Sequence, residues 1–308
     1  MAPFRLGLVG AGRMGRTHLR ALAGSERVAV TAIAEMSPAA RQAVSAPGVT
    51  VYASAAEMLD AAAIDGVLIA APTDQHGAVI AEVAGHGLPI LCEKPCGLTA
   101  AAARASAGTA AAAGVPLQVA YWRRFVPDLR RLRDRIAAGE FGTVHLVTCY
   151  QWDEQPPPVE FRAHSGGIAI DMGVHEFDQL RWLTGQDISS LAVVASGRAP
   201  DGIADVDGAQ AVASLSDGAC GFISLGRYYP GGDAVWAEVF GTRGSERCDV
   251  IDPAEGERAQ LEALRRQAES FAEFAGGGPG QGATAADAVA ALTAAEHVTA
   301  AIAAMAAP

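Results

Sequence analysis

Lysine is all but missing from this chain of 308 residues: of its 23 basic residues 22 are arginine, and Lys94 is the one lysine. Positive charge is also the minority sign, since 34 acidic residues leave a net charge of -11. Surfaces that hold nucleic acid or anionic lipid need clustered positive charge, and no basic run is present, so neither partner is expected. Cysteine is sparse (Cys92, Cys96, Cys149, Cys220 and Cys248), odd in number and without a C-x-x-C pair, which speaks against a disulfide framework or a zinc site and suits a reducing compartment. No apolar run reaches the roughly 18 residues of a spanning helix. The N-terminus enters a strand-like stretch at once, with no charged leader and cleavage site, so a soluble, unprocessed, cytoplasmic protein is expected. What is there is ordinary globular material, half apolar with 35 glycines, and long enough for two domains.

The first 120 residues alternate strand-like runs (4–10, 28–35, 49–52, 66–72, 88–93 and 115–120) with helical patterns (13–24, 38–46, 54–62, 74–87 and 99–113). A βαβα order implies a parallel sheet covered on both faces. Ser54 and Glu57 have capping-box spacing. From 121 to 308 the pattern changes: an arginine-rich amphipathic segment at 127–138, then alternating runs at 144–152, 188–196, 209–215, 219–226 and 234–240 separated by short turns. That reads as an α+β domain with an open, mostly antiparallel sheet. Helices at 260–275 and 285–304 follow, on either side of a glycine-rich linker at 276–282.

Three segments carry chemistry. Gly10-Ala11-Gly12-Arg13-Met14-Gly15 is G-x-G-x-x-G between the first strand and the first helix, where glycines allow a tight turn, backbone approach to a pyrophosphate, and close helix packing. Glu35, ending the second strand 20 residues on, suits the ribose hydroxyls of an adenosine. Glu93-Lys94-Pro95 ends the fifth strand, so Lys94 should project into the ligand crevice of an open parallel sheet. An ammonium is a compact donor that can approach neutrality, whereas guanidinium cannot, which gives a reason for this lysine to persist in an arginine-rich chain. Asp171-Met172-Gly173-Val174-His175 is D-x-G-x-H after Gly166-Gly167, at the start of a helix through Leu183. Its i, i+4 spacing puts carboxylate and imidazole on one face, a pair suited to proton transfer; the plain alternative is a helix cap by Asp171 beside a core histidine. His18, His86, His145 and His297 read as surface or helix residues, and no metal constellation is present.

Together these segments, with Ala71-Pro72-Thr73-Asp74-Gln75-His76 and Arg123-Arg124-Phe125, resemble the Gfo/Idh/MocA oxidoreductases, the family of inositol 2-dehydrogenase and glucose-fructose oxidoreductase, along almost the whole chain. The resemblance implies a Rossmann domain (1–120) and a C-terminal sheet domain (121–308) that covers the nicotinamide and forms a homodimer or homotetramer. It implies NAD, held by Gly10, Gly12, Arg13, Met14, Gly15, Glu35, Ala71, Pro72, Thr73, His76, Glu93 and Lys94, and Glu35, which would repel a 2'-phosphate with no Arg at Met36 or Ser37 to neutralise it, favours NAD over NADP. Catalysis would fall to Lys94, Asp171 and His175: His175 as general base on a secondary alcohol, Lys94 as donor to the same oxygen, Asp171 holding the Lys94 ammonium and the substrate in register. A cyclic polyol or sugar would contact Lys94, Trp122, Arg123, Gln151, Asp153, Asp171, His175 and Tyr229. Two departures bear on the substrate: Gln151-Trp152-Asp153 stands where inositol dehydrogenases carry His-x-Asn, and Trp122 replaces a Met. The competing functions are a relative that uses bound NAD transiently, in glycosidase or epimerase chemistry, and a non-catalytic NAD-binding regulator.

Overall fold

The structure is a computed structural model and describes residues 2–44, 48–197 and 205–306. Strands β1 (Phe4–Val9), β2 (Val28–Ala34), β3 (Thr50–Tyr52), β4 (Gly66–Ile69), β5 (Ile90–Cys92) and β6 (Leu117–Val119) alternate with helices α1 (Arg13–Leu22), α2 (Pro38–Ala43), α3 (Ala55–Ala61), α4 (His76–Gly85) and α5 (Ala100–Ala112). There follow α6 (Pro127–Ala137), β7 (Val144–Asp153), the single turn α7 (Val159–Arg162), α8 (Val174–Thr184), β8 (Ile188–Ser196), β9 (Gly208–Leu215), β10 (Cys220–Arg227), β11 (Ala234–Gly241) and β12 (Gly244–Ile251). The chain closes with α9 (Arg258–Ala275), β13 (Ala283–Thr284) and α10 (Ala285–Ala306). These elements form two compact units, residues 1–122 with 261–289 and residues 123–260 with 290–308.

In the first unit the sheet runs β13-β6-β5-β4-β1-β2-β3, all parallel except β13, which pairs antiparallel with β6. This is the doubly wound Rossmann order, with the crossover between β1 and β4. Leu6, Leu8, Ile33, Leu68 and Leu91 are fully buried because helices cover both faces. Strands β5 and β6 start later than their apolar runs suggest, since Pro89 and Pro116 have no N–H to give a ladder. Ser54 caps α3 as its spacing with Glu57 predicts, its Oγ accepting from Glu57 N at 3.2 Å, while the Glu57 carboxylate accepts from Ala53 N, one residue before the cap, at 3.1 Å. Helix α2 stops at Ala43, and the expected helical residues Ser45 and Ala46 lie outside the described residues. The part of α9 from Leu261 returns to this unit, where Phe271 meets Phe4 edge-on at 6.1 Å and Ser25 Oγ donates to Glu269 at 2.8 Å. Full burial of an aromatic side chain such as Phe271 contributes about 2 to 3 kcal/mol.

The second unit is built on a six-stranded sheet, β12-β11-β7-β10-β9-β8, antiparallel at every junction but β7 with β10. Strand β12 completes a hairpin with β11 and carries charge on both faces (Glu246, Arg247 and Asp249), which weakened its strand signature. One face is packed against helices: Gly221 leaves room for Leu180 of α8, and Cys149, Ile223 and Ala213 are buried. The other face carries an aromatic ladder, with Tyr150 stacked on Trp236 at 4.4 Å, Phe222 edge-on to Tyr150, and the Arg247 guanidinium over Trp236 at 4.8 Å.

Helix α10 corrects one expectation: it is long and apolar enough, by length and composition, to cross a membrane. Asp287 and Glu296 interrupt it, however, and Ala288, Ala291, Leu292, Ala295 and Val298 form a buried stripe at helical spacing, the pattern of a core helix.

Candidate active site

The glycine turn of the first unit is shaped by backbone alone. Gly10 has φ +92°, and a Cβ there would lie 2.6 Å from the Ala71 nitrogen; a Cβ on Gly15 would lie 2.1 Å from the Gly10 carbonyl oxygen. Neither position tolerates a side chain. Gly12 is the opposite case, with open space around it, and as N-cap of α1 it leaves the helix without a side-chain cap. The first N–H groups of α1 are thus presented to an anion, with Arg13 and Met14 in the same turn. Glu35 follows β2 and anchors this turn: one carboxylate oxygen accepts from Ala11 N at 2.7 Å, the other from Ser37 N at 2.8 Å. A carboxylate has lone pairs to spare after two such bonds, so ribose hydroxyls remain acceptable. The residues fit a dinucleotide.

At the ends of β4 and β5, His76 ties two loops together, its ring nitrogens lying 2.9 Å from the carbonyl oxygens of Ala71 and Pro95. Pro72 precedes the single turn Thr73–Gln75 that leads into α4. The Lys94–Pro95 peptide is cis, and Lys94 is half-buried. Glu93 does not face the crevice freely. One oxygen accepts the Lys94 backbone N–H at 3.1 Å, and the other meets His18 Nε2 at 2.7 Å. His18, expected to be a surface or helix residue, lies on α1 and is wholly buried, so helix and Lys94 loop share one polar contact. Cys92 and Cys96, on either side of the loop, are fully buried; burial pushes the Cys92 thiol well up, and the hydrogen bond from Cys92 draws Cys96 down.

In the second unit, Asp171 does not cap a helix. It sits in a π-helical turn, Ala169–Gly173, that runs directly into α8, and the α8 N-terminus has no side-chain cap. Such widened turns recur at functional sites. His175 opens α8 and is 7% exposed. The residues beside it are held by the arginine pair after β6: Arg123 binds Glu176 through Nη1 and Gln151 Oε1 through Nη2 at 2.5 Å, and Arg124 grips Asp178 with two bonds of 2.9 and 2.5 Å. Gln151 in turn donates to Asp153 at 3.2 Å. Burial, and then the nearby Asp233 and Asp171 carboxylates, raise the Asp153 carboxyl above its ordinary range, against the pull of the Gln151 bond and Arg227. Gln151, Asp153, Arg123 and Asp171 therefore belong to one polar cluster, and His175 stands next in the chain to Glu176, which Arg123 binds. Tyr229 does not: its ring lies against Trp152 and Trp236, on the aromatic face. Trp122, the last residue of the first unit, is 4% exposed.

Residue spacing gave no sign of several participants. Asp178 continues the face of Asp171 and His175 by spacing, but Glu176, and the arginines that bind both carboxylates, needed a view of which side chains face α8. Arg41, whose Nη1 donates to the carbonyls of Glu35 and Met36 at 2.8 Å each, places a cation beside the Glu35 turn from six residues away. Among the described residues no group of His, Cys, Asp and Glu could hold a metal ion.

A Rossmann sheet with an uncapped, glycine-turned helix and a second unit with an open sheet define a nucleotide-dependent oxidoreductase of two parts. Residues 4–121 match the oxidoreductase family with an NAD-binding Rossmann fold and residues 129–247 the GFO/IDH/MocA C-terminal domain, and the chain belongs to the GFO/IDH/MocA family. It is 51% identical to the rhizopine catabolism protein MocA of Rhizobium meliloti, over 97% of this chain and 95% of that protein. It is 33% identical to an inositol 2-dehydrogenase of Rhizobium meliloti strain 1021, over 85% of this chain and 80% of the relative. Among solved structures it resembles a scyllo-inositol dehydrogenase from Lactobacillus casei with bound NAD(H) and scyllo-inositol, with a TM-score of 0.84, 25% identity, and 97% and 96% of the two chains covered.

Proposed function

We propose that this protein is an NAD-dependent dehydrogenase that oxidises a secondary alcohol of a cyclic polyol or sugar. The observation that carries the reading is the Asp171–His175 segment: the carboxylate is released from helix capping and held in a charged cluster one turn before an imidazole. NAD, when bound, supplies the acceptor for the carbinol hydride. His175 takes the hydroxyl proton, Lys94 donates a hydrogen bond to the same oxygen as negative charge grows on it, and Asp171 orients the imidazole. Gln151 and Asp153 offer a donor and acceptors for ring hydroxyls. Glu35 favours NAD over NADP, because a 2'-phosphate would meet its carboxylate.

The named activities of the relatives set the order of testing. Purified protein is mixed with NAD and, in turn, rhizopine, scyllo-inositol, myo-inositol and a series of aldoses, and absorbance is followed at the NADH band. Sustained NADH formation with one of them is the expected result. Substrate conversion without NADH would replace this reading with transient use of the cofactor, and binding without conversion would replace it with a regulator.

The aromatic face of the second sheet, with Val194, Val212 and Phe240 exposed, is proposed as the surface for a homodimer or homotetramer. Light scattering of the native chain beside Val212→Glu checks this: the variant should dissociate.

A further inference from the structure

We propose that Arg227 is a positioning residue for the reaction: its buried guanidinium fixes the Asp171 carboxylate and sets how much of that charge His175 receives. This rests on the reading of Asp171 and His175 as the proton-handling pair.

Arg227 ends β10 on the helix-covered side of the sheet, opposite Asp153 in register, and none of its side chain is exposed. A guanidinium keeps its charge at every working pH, so in such a place it is obliged to carboxylates. Two are in reach of Nη2: Asp205 at 3.3 Å and Asp171 at 3.8 Å. They are not equivalent. Asp205 is already supplied, since Arg162 Nε donates to it at 2.8 Å and the backbone N–H groups of Ile168 and Val206 donate to its other oxygen at 2.8 and 2.9 Å. Arg162 is in turn bound to Asp207 at 2.9 Å. Asp205 thus has other donors to satisfy it, and Arg227 shares its charge with Asp171.

The network has a direction. The side chains of Arg162, Asp205 and Arg227 are at most 2% exposed, while Asp171 at its end is 18% exposed. One arm, Asp205 to Ile168 N, pins the chain at the start of the π-helical turn, and the other, Arg227 to Asp171, meets the carboxylate within that turn. A structural fastener would have no need of an open end. Charged groups that act on Asp171 include Arg227 from β10 and Asp153 from β7; Arg227 also reaches Asp205 in the segment before β9, and His175 on α8 is followed in the chain by Glu176, which Arg123 binds. Arg227 is the cation of this set with no hydrogen bond from its guanidinium among the described residues, so its effect on Asp171 is carried by charge.

The test reads His175 directly in the full chain without substrate. Its ring proton is followed by NMR against pH, the resonance being assigned by its loss in His175→Gln. In Arg227→Gln the titration midpoint should rise by about 0.5 to 1 unit, because Asp171 loses a competing cation and turns its full charge on the imidazolium. In an Asp171→Asn background the same substitution should move the midpoint by less than half as much. Arg227→Lys should restore most of the original midpoint, and it carries the same cycle if Arg227→Gln fails to fold. No shift, or equal shifts in both backgrounds, overturns the inference. In turnover assays the expected pattern for Arg227→Gln is a roughly tenfold lower kcat with the KM for NAD within twofold; a change in that KM alone counts against it. A coupled His175 titration in a protein that reduces NAD with no polyol or sugar would sink the proposed function and leave the Arg227 network standing.

Discussion

The two units build their polar sites by different means. In the first, the cofactor turn is made of backbone: a glycine at φ +92°, a second glycine with no room for a Cβ, and a helix start with no side-chain cap. In the second, the polar cluster is made of side chains held by buried ion pairs, Arg123 to Glu176, Arg124 to Asp178, and Arg162 and Arg227 to Asp205. A pyrophosphate needs N–H groups, which every residue has, so the cradle is specified by what is absent. Under the proposed function the second cluster would bind ring hydroxyls, which need donors and acceptors at chosen points, so it would be specified by what is present and by what fixes it in place.

The comparison predicts where damage lands. Side-chain changes in the second unit should strike turnover: His175→Ala should lower kcat by about 100 to 10,000 fold, and adding Asp171→Ala should cost little more, because the proposed function puts both in one proton transfer. Additive losses in single and double variants would break the pair. Lys94 is the exception that sharpens the contrast, being a side chain of the first unit to which the proposed function gives a role in turnover. Lys94→Arg should lose about 100 fold in kcat through misalignment, with NAD affinity kept; an active variant would reduce Lys94 to a source of charge.

Backbone changes in the first unit should strike folding and cofactor binding instead. Gly15→Ala puts a Cβ 2.1 Å from the Gly10 carbonyl oxygen, and should cost about 2 to 3 kcal/mol in thermal unfolding and weaken NAD binding in fluorescence titration. Normal stability there would show that the turn can move. A smaller effect is expected for Glu35→Ser, which should cut the preference for NAD over NADP by about tenfold in kcat/KM, since it removes the repulsion and leaves Arg41 nearby. An unchanged preference would assign selectivity elsewhere.

The smallest effect concerns pH. Burial raises the Asp153 carboxyl in the folded chain, so the folded state binds its proton more tightly than the unfolded state does. The favourable contribution is complete below the unfolded pKa and disappears as pH rises through the folded value, leaving the ionised group as a burden at neutral pH. Asp153→Asn should therefore raise Tm by about 2 °C at pH 7, with the gain vanishing toward pH 4. A gain of equal size at both values would point to packing rather than charge.

Much of this protein was decided by local sequence. Apolar runs buried on both faces, alternating with helical patterns and punctuated by Gly10, Gly12 and Gly15, specify a Rossmann unit because each run has few other ways to hide its surface. Alternation in β7, β9 and β10 likewise announced an open sheet. The charged, half-exposed β12 and the two-residue β13 fell below any periodic signal, since their pairing is dictated by a neighbour and not by their own composition. Only the tertiary structure decided that Phe271, late in the chain, packs on Phe4, that His18 holds Glu93, and that Arg227 lies between Asp205 and Asp171. Those contacts join residues far apart in sequence. Arginine and histidine look alike on a surface and in a core until burial removes water and obliges each to find its partner.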